Sequence, residues 1–187
     1  MDHIGLPDRG RVGMFCLIIA ESAIFSIFVV AYLFYAGKSL SGPTPREILE
    51  IPVFYSICLF SSSLTIHLAV ENLRRARTGL FGAWWFATLA LGGLFLVGTA
   101  REWHRLIFEK GFTVQTNLFG TTYYSLVGLH AFHVTVGFLV LAIIFSFSIW
   151  GKVRPEHARQ TGTFSLYWHF VDTVWVVVFL VVYVIAR

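Results

Sequence analysis

The chemistry-bearing side chains of this chain are few and stand in unusual company. Glu21, His130, His133, His169 and Asp172 all fall inside stretches that are otherwise apolar, with His67 near the end of another such stretch and Glu102 and His104 at the end of a third. In G-L-H-A-F-H-V the two histidines are three residues apart and share one face of a helix, and His169 and Asp172 repeat that spacing in Y-W-H-F-V-D-T-V-W. Three chemistries use such groups. Paired imidazoles ligate metals or haem, a carboxylate one turn from an imidazole accepts its N–H and fixes its tautomer, and a lone intramembrane acid can relay or store protons.

Each has a structural counterpart, because transmembrane histidines and acids also hydrogen-bond to neighbouring helices. A ferritin-like di-iron centre needs repeated Glu-x-x-His pairs and further carboxylates, which the chain lacks. A bis-histidine haem between the two His-bearing stretches satisfies the spacing, so an independent membrane haem or metal protein stands as one reading. Helix-linking contacts stand as the other. No serine or cysteine nucleophile accompanies His169 and Asp172 in a water-accessible setting, so hydrolase chemistry is unsupported and no catalytic residue is assigned.

The elements that must position these groups follow from composition. The chain has 187 residues, 57% hydrophobic and 13% charged, with 19 phenylalanines. Its mean hydropathy is +0.74, whereas roughly 25% of residues are charged in a soluble domain. Apolar stretches at about 12–35, 52–70, 80–108, 121–150 and 164–186 are each long enough to cross a hydrocarbon core of about 30 Å. Pro7, Pro43, Pro45 and Pro155 lie between stretches and Pro52 sits where a first helical turn tolerates it. The third stretch runs on through R-E-W-H-R-L-I-F-E-K until Gly111 supplies a stop, with Trp103 and Arg105 as interface anchors. Barrel strands would show short alternating segments, which are missing. The fold class expected is an all-α integral membrane bundle of five transmembrane helices forming one domain over 1–187.

The first ten residues, MDHIGLPDRG, lack a small-residue cleavage site, and the first helix is expected to stay in the mature protein. On one side of the membrane lie Arg9, Arg11, Arg74, Arg75, Arg77, Lys152, Arg154 and Arg159. On the other lie Lys38, Arg46, Arg101, Arg105, Lys110 and Arg187. The larger basic set places the N-terminus inside and the C-terminus outside. A net charge of +4 suits anionic lipid headgroups, with Arg74, Arg75 and Arg105 as contacts, and needs no nucleic acid. Cys16 and Cys58 fall in apolar helices and indicate no disulfide. Glu21 lies nine residues past Val12, roughly 14 Å into the bilayer, and either handles protons or hydrogen-bonds to another helix. Gly92, Gly93 and Gly98 on the third helix, and Gly128, Ala131 and Thr135 on the fourth, would let backbones approach closely.

Five ordered pieces carry a resemblance. They are L-I-I-A-E-S-A-I-F-S-I-F in the first helix, L-F-S-S-S-L-T in the second, R-E-W-H-R-L-I at the end of the third, G-T-T-Y-Y-S-L-V-G-L-H-A-F-H-V-T-V-G in the fourth and Y-W-H-F-V-D-T-V-W-V-V-V-F in the fifth. Together they resemble subunit III of the haem-copper terminal oxidases, over nearly the whole chain. The resemblance implies a cofactor-free accessory subunit, with haem and copper held by partner subunits. Its implied partners are the catalytic subunit I, subunit II, a small subunit IV and phospholipids, and its implied roles are stabilising subunit I and sustaining proton uptake. It matches Glu21 to the family's intramembrane acid, Glu102 to its acid at the end of the corresponding helix, and His130, His133, His169 and Asp172 to its polar positions in the last two helices. Longer members have seven helices with a lipid cleft between the first two and the other five, and the resemblance implies that this chain begins at what corresponds to their third, as in five-helix bacterial forms. The implied setting is a bacterial plasma membrane, in a cytochrome c oxidase, a quinol oxidase or the related accessory protein of nitric oxide reductases.

Overall fold

In lipid each backbone polar group has to be satisfied within the protein, and runs rich in Leu, Ile, Val and Phe do this as helices. The computed structural model describes residues 9–39 and 42–185. The N-terminal positions read above up to residue 8, the last predicted helical residue Ala186 and the basic Arg187 lie outside the described residues. In chain order come α1 (Arg9–Tyr35), the single-turn α2 (Pro45–Ile48), α3 (Val53–Arg74), α4 (Thr78–His104), α5 (Leu118–Ile149) and α6 (Ala158–Phe179). π-Helical segments extend α4 over Arg105–Glu109 and α6 over Leu180–Ile185. Among the described residues five helical segments are long and apolar enough to cross a membrane: Arg9–Tyr35, Val53–Arg74, Thr78–Glu109, Leu118–Ile149 and Pro155–Ile185. The chain is an all-helical membrane protein.

The ends have local causes. Asn117 caps α5 by accepting from the Gly120 N–H at 2.8 Å. Gly111 takes φ 61 just past Lys110, the C-cap of the extension of α4, as a helix stop requires. The last helix starts at Ala158, preceded by a 3₁₀ turn at Pro155–His157, several residues before the 164 read from hydropathy. Its opening turns are polar, with Arg159 and Gln160 exposed and the threonines turned inward. Thr161 and Thr163 hydroxyls donate to the carbonyls of His157 and Arg159, and the buried Ala158, Thr161 and Gly162 pack inward, Gly162 towards Val70 and Arg74 of α3.

α6 is the hub, packing against α1, α3 and α5, while α4 bridges α3 and α5. α1 rests on α5 and α6 alone among the close pairings and buries only Phe25 and Tyr32. Its other faces present Phe15, Ile19, Ile27, Val30 and Phe34 outward, as a lipid-facing helix should. α3 and α4 form a hairpin joined through residues 75–77, and a side chain added at Gly98 on α4 would run into the ring of Tyr55 on α3. Gly98→Ala is therefore expected to destabilise the hairpin by about 2 kcal/mol through overpacking. A thermal unfolding midpoint in detergent equal to that of the unsubstituted protein would show instead that Tyr55 swings aside freely.

Candidate functional site

Glu21 meets His133. The α1 carboxylate oxygen Oε2 lies 3.0 Å from Nε2 of His133 on α5, and His133 Nδ1 lies 2.8 Å from the Leu129 carbonyl one turn back. A carbonyl only accepts, so Nδ1 carries its proton and the tautomer is fixed. The line between Nε2 and Oε2 then holds one proton, which sits on the acid or on the ring. Around the pair, Met14, Leu17, Phe132, Val140 and Trp168 help to line a largely apolar cavity of about 330 Å³. Phe25 packs on the His133 ring at 5.1 Å between centroids.

His130, one turn earlier on α5, has a different environment although the H-x-x-H spacing places both on one face. It is 1% exposed and stacks on Trp175 of α6 at 4.9 Å with an interplanar angle of 26°. Phe25 and Phe95 close the box edge-on at 6.5 and 6.0 Å. Its ring nitrogens have no hydrogen-bond partner among the described residues.

His169 and Asp172 are joined by a third group that sequence reasoning did not single out. Ser63 Oγ on α3 donates to Asp172 Oδ2 and lies 3.0 Å from His169 Nδ1. A hydroxyl has one proton, so the imidazole N–H donates to Ser63 and the serine bridges ring and acid. The carboxylate does not take the imidazole N–H directly, as the spacing alone suggested. In a hydrolytic triad the histidine accepts the serine proton; here that proton goes to the acid.

The bridge belongs to a longer seam. Trp168 Nε1 donates to Ser62 Oγ at 2.9 Å and Trp175 Nε1 to Ser56 Oγ at 3.0 Å, all four residues being buried. Positions rise along α3 as they fall along α6, so the helices run antiparallel and two tryptophans seven residues apart meet serines at matched depths. The signal was present in L-F-S-S-S-L-T as hydroxyls on an apolar helix. It was not decoded because a small hydroxyl also satisfies itself on its own helix.

The remaining candidates lie at the bundle ends. Arg74 and Arg75 share Glu71, at 3.6 and 2.9 Å, and these half-exposed pairs leave their outer faces turned to the surroundings. Arg105 pairs with Glu50, which precedes α3, while Glu102 lines a cavity beside them. Among the described residues, no three His, Cys, Asp or Glu side chains gather at metal-ligand spacing. The structure gives His130 and His169 different neighbours rather than one shared site.

Fold and site together define a polytopic helical membrane protein whose intramembrane acids and histidines join one helix to another. The model of the family Cytochrome c oxidase subunit III matches residues 4–187, and the chain belongs to this family. It is 37% identical over 191 residues to cytochrome c oxidase subunit 3 of Synechocystis sp., covering 98% of this chain and 78% of the relative. It is 30% identical to cytochrome c oxidase subunit 3 of Thermostichus vulcanus, covering 97% and 90%. It is also 30% identical to cytochrome bo(3) ubiquinol oxidase subunit 3 of Pseudomonas aeruginosa, covering 99% and 90%.

Proposed function

We propose that this chain is the cofactor-free accessory subunit III of a proton-pumping haem-copper oxidase, packed beside the catalytic subunit that reduces dioxygen to water. The observation that carries the reading is how its intramembrane polar groups are engaged: Glu21 by His133 across α1 and α5, and His169 and Asp172 by Ser63 across α6 and α3. Such contacts hold a bundle in register. The names of two relatives favour cytochrome c as the electron donor of the complex, and the relative named for ubiquinol keeps a quinol oxidase as the second reading.

Subunit I, subunit II and a small subunit IV are the proposed partners, in a bacterial plasma membrane, with the N-terminus inside. Haem and copper would reside in those partners. Arg74 and Arg75, at one end of the bundle, are proposed to meet anionic lipid headgroups, and Arg105 to do so at the other. The complex purified in mild detergent is expected to contain haem-bearing partner chains, and the subunit released from it to bring neither haem absorbance nor copper. Stoichiometric haem remaining on the released chain would overturn the reading and point to His130 or His169 as its ligand.

A further inference from the structure

The end of the bundle opposite Arg74 contains a polar cluster that the helix-linking contacts do not use. Glu102 Oε1, Tyr123 Oη on α5 and Tyr32 Oη on α1 are buried without a hydrogen-bond partner among the described residues. Tyr123 is 0% exposed, Tyr32 2% and Tyr183 3%. The Tyr183 hydroxyl is the polar neighbour of both Glu102 and Tyr123, in loose contact that leaves Glu102 Oε1 and Tyr123 Oη short of a formed hydrogen bond. Tyr32 joins the group through Phe119, whose ring packs on Tyr32 at 6.4 Å and on Tyr123 at 5.9 Å.

Two features of the backbone converge on the same place. Glu102 lies three residues before the π-helical segment Arg105–Glu109, in the last turn of α4, and Tyr183 lies inside the other one, Leu180–Ile185. π-Helical turns concentrate at functional sites because they aim side chains where a regular helix would not. On its other side Glu102 lines a cavity of about 280 Å³, with Arg101, Arg105, Glu50 and Tyr55 among its walls. Arg105 and Glu50 form an ion pair there, Arg105 largely covered and Glu50 74% exposed. A buried water needs polar partners and only about 10 to 15 Å³ of space, so this cavity has room for several. The cavity wall offers the Glu102 carboxyl and the Arg101 and Arg105 guanidinium groups, a set matched to water rather than to an apolar guest, and Tyr123 and Tyr183 stand behind Glu102 on its buried side.

We propose that Glu102, Tyr123, Tyr183 and Tyr32 form a hydration site that takes water from this end of the bundle past the Glu50–Arg105 pair, allowing the Glu102 carboxyl to exchange its proton with bulk solvent. The water serves as hydrogen-bond partner to the orphaned oxygens, and exchange forms and breaks only O–H bonds. The proposal goes beyond the accessory role and does not depend on which oxidase the chain serves.

Radiolytic footprinting of the intact purified complex in H₂¹⁸O tests it, since hydroxyl radicals made from bound water label the side chains beside that water. Trp85 and Trp168 are the internal controls, equally buried and with their Nε1 atoms bonded to Leu141 O and Ser62 Oγ. Tyr123 and Tyr183 are expected to take up label several-fold faster than these two tryptophans. Glu102→Gln should keep that excess, Glu102→Leu should abolish it, and Glu50→Gln should increase it by loosening Arg105. Labelling of Tyr123 and Tyr183 no faster than Trp85 and Trp168 in the unsubstituted complex would overturn the proposal. An excess unaffected by Glu102→Leu would do so as well.

Discussion

Replacing Trp168 by alanine is expected to lower the stability of the bundle by about 4 kcal/mol, the range for deleting a buried aromatic. The ring is 1% exposed and lies where a side chain added at either Gly92 of α4 or Gly137 of α5 would come within 3.0 Å of it. Its indole N–H reaches Ser62 of α3. One side chain of α6 thus plugs the meeting point of three other helices, and no neighbour has atoms to spare for the space it would leave. Trp168→Phe separates the two contributions. Ser62 Oγ also donates to the Leu59 carbonyl and stays satisfied without the indole, so the phenylalanine variant should lose only about 1 to 2 kcal/mol. Denaturation of the detergent-solubilised protein measures both, and equal losses would mean that the hydrogen bond, not the ring, is what matters.

The second large effect concerns Glu21 and His133. His133→Leu should cost about 3 kcal/mol, because it leaves a carboxyl group at membrane depth without its partner. Removing both ends of the pair is a different matter. Glu21→Leu combined with His133→Leu is expected to recover most of that loss, since an apolar pair of similar shape needs no partner. A double variant as unstable as the sum of the two single ones would contradict the view that the pair is an isolated helix-to-helix contact. Glu21→Gln should preserve assembly, because the amide still offers His133 a hydrogen bond. It removes a group able to take up and release a proton, so slower proton uptake or faster inactivation during turnover is expected in the complex. Unchanged turnover and pumping over many cycles would leave the pair as packing alone.

How much of this was legible beforehand varies with the physics involved. Long apolar runs broken by prolines were readable because the bilayer imposes a length on every crossing. The opening of α6 was not, since its threonines look polar in a hydropathy window while donating to their own helix. Close approach at Gly98 followed from the small residue alone, although its neighbour Tyr55 did not. His130 and His133 looked equivalent on one helical face. Only the arrangement of the other helices distinguishes a ring in an aromatic box from one paired with an acid. The contact of His169 and Asp172 stayed open for a related reason: Ser63 stands more than a hundred positions away, and a serine carries too little character to name its partner.

The loose attachment of α1 has a consequence for biosynthesis. Glu21 and His133 are separated by 112 positions, and the α6 residues that also cover α1 emerge later still. At translation rates of roughly 5–20 residues per second, the acid in α1 would wait on the order of ten seconds for its imidazole to be made. For that interval nascent α1 sits in the insertion machinery or the lipid with an unmatched carboxyl group. α1 is therefore made well before the helices that hold it, and it cannot be secured until α5 and α6 have followed.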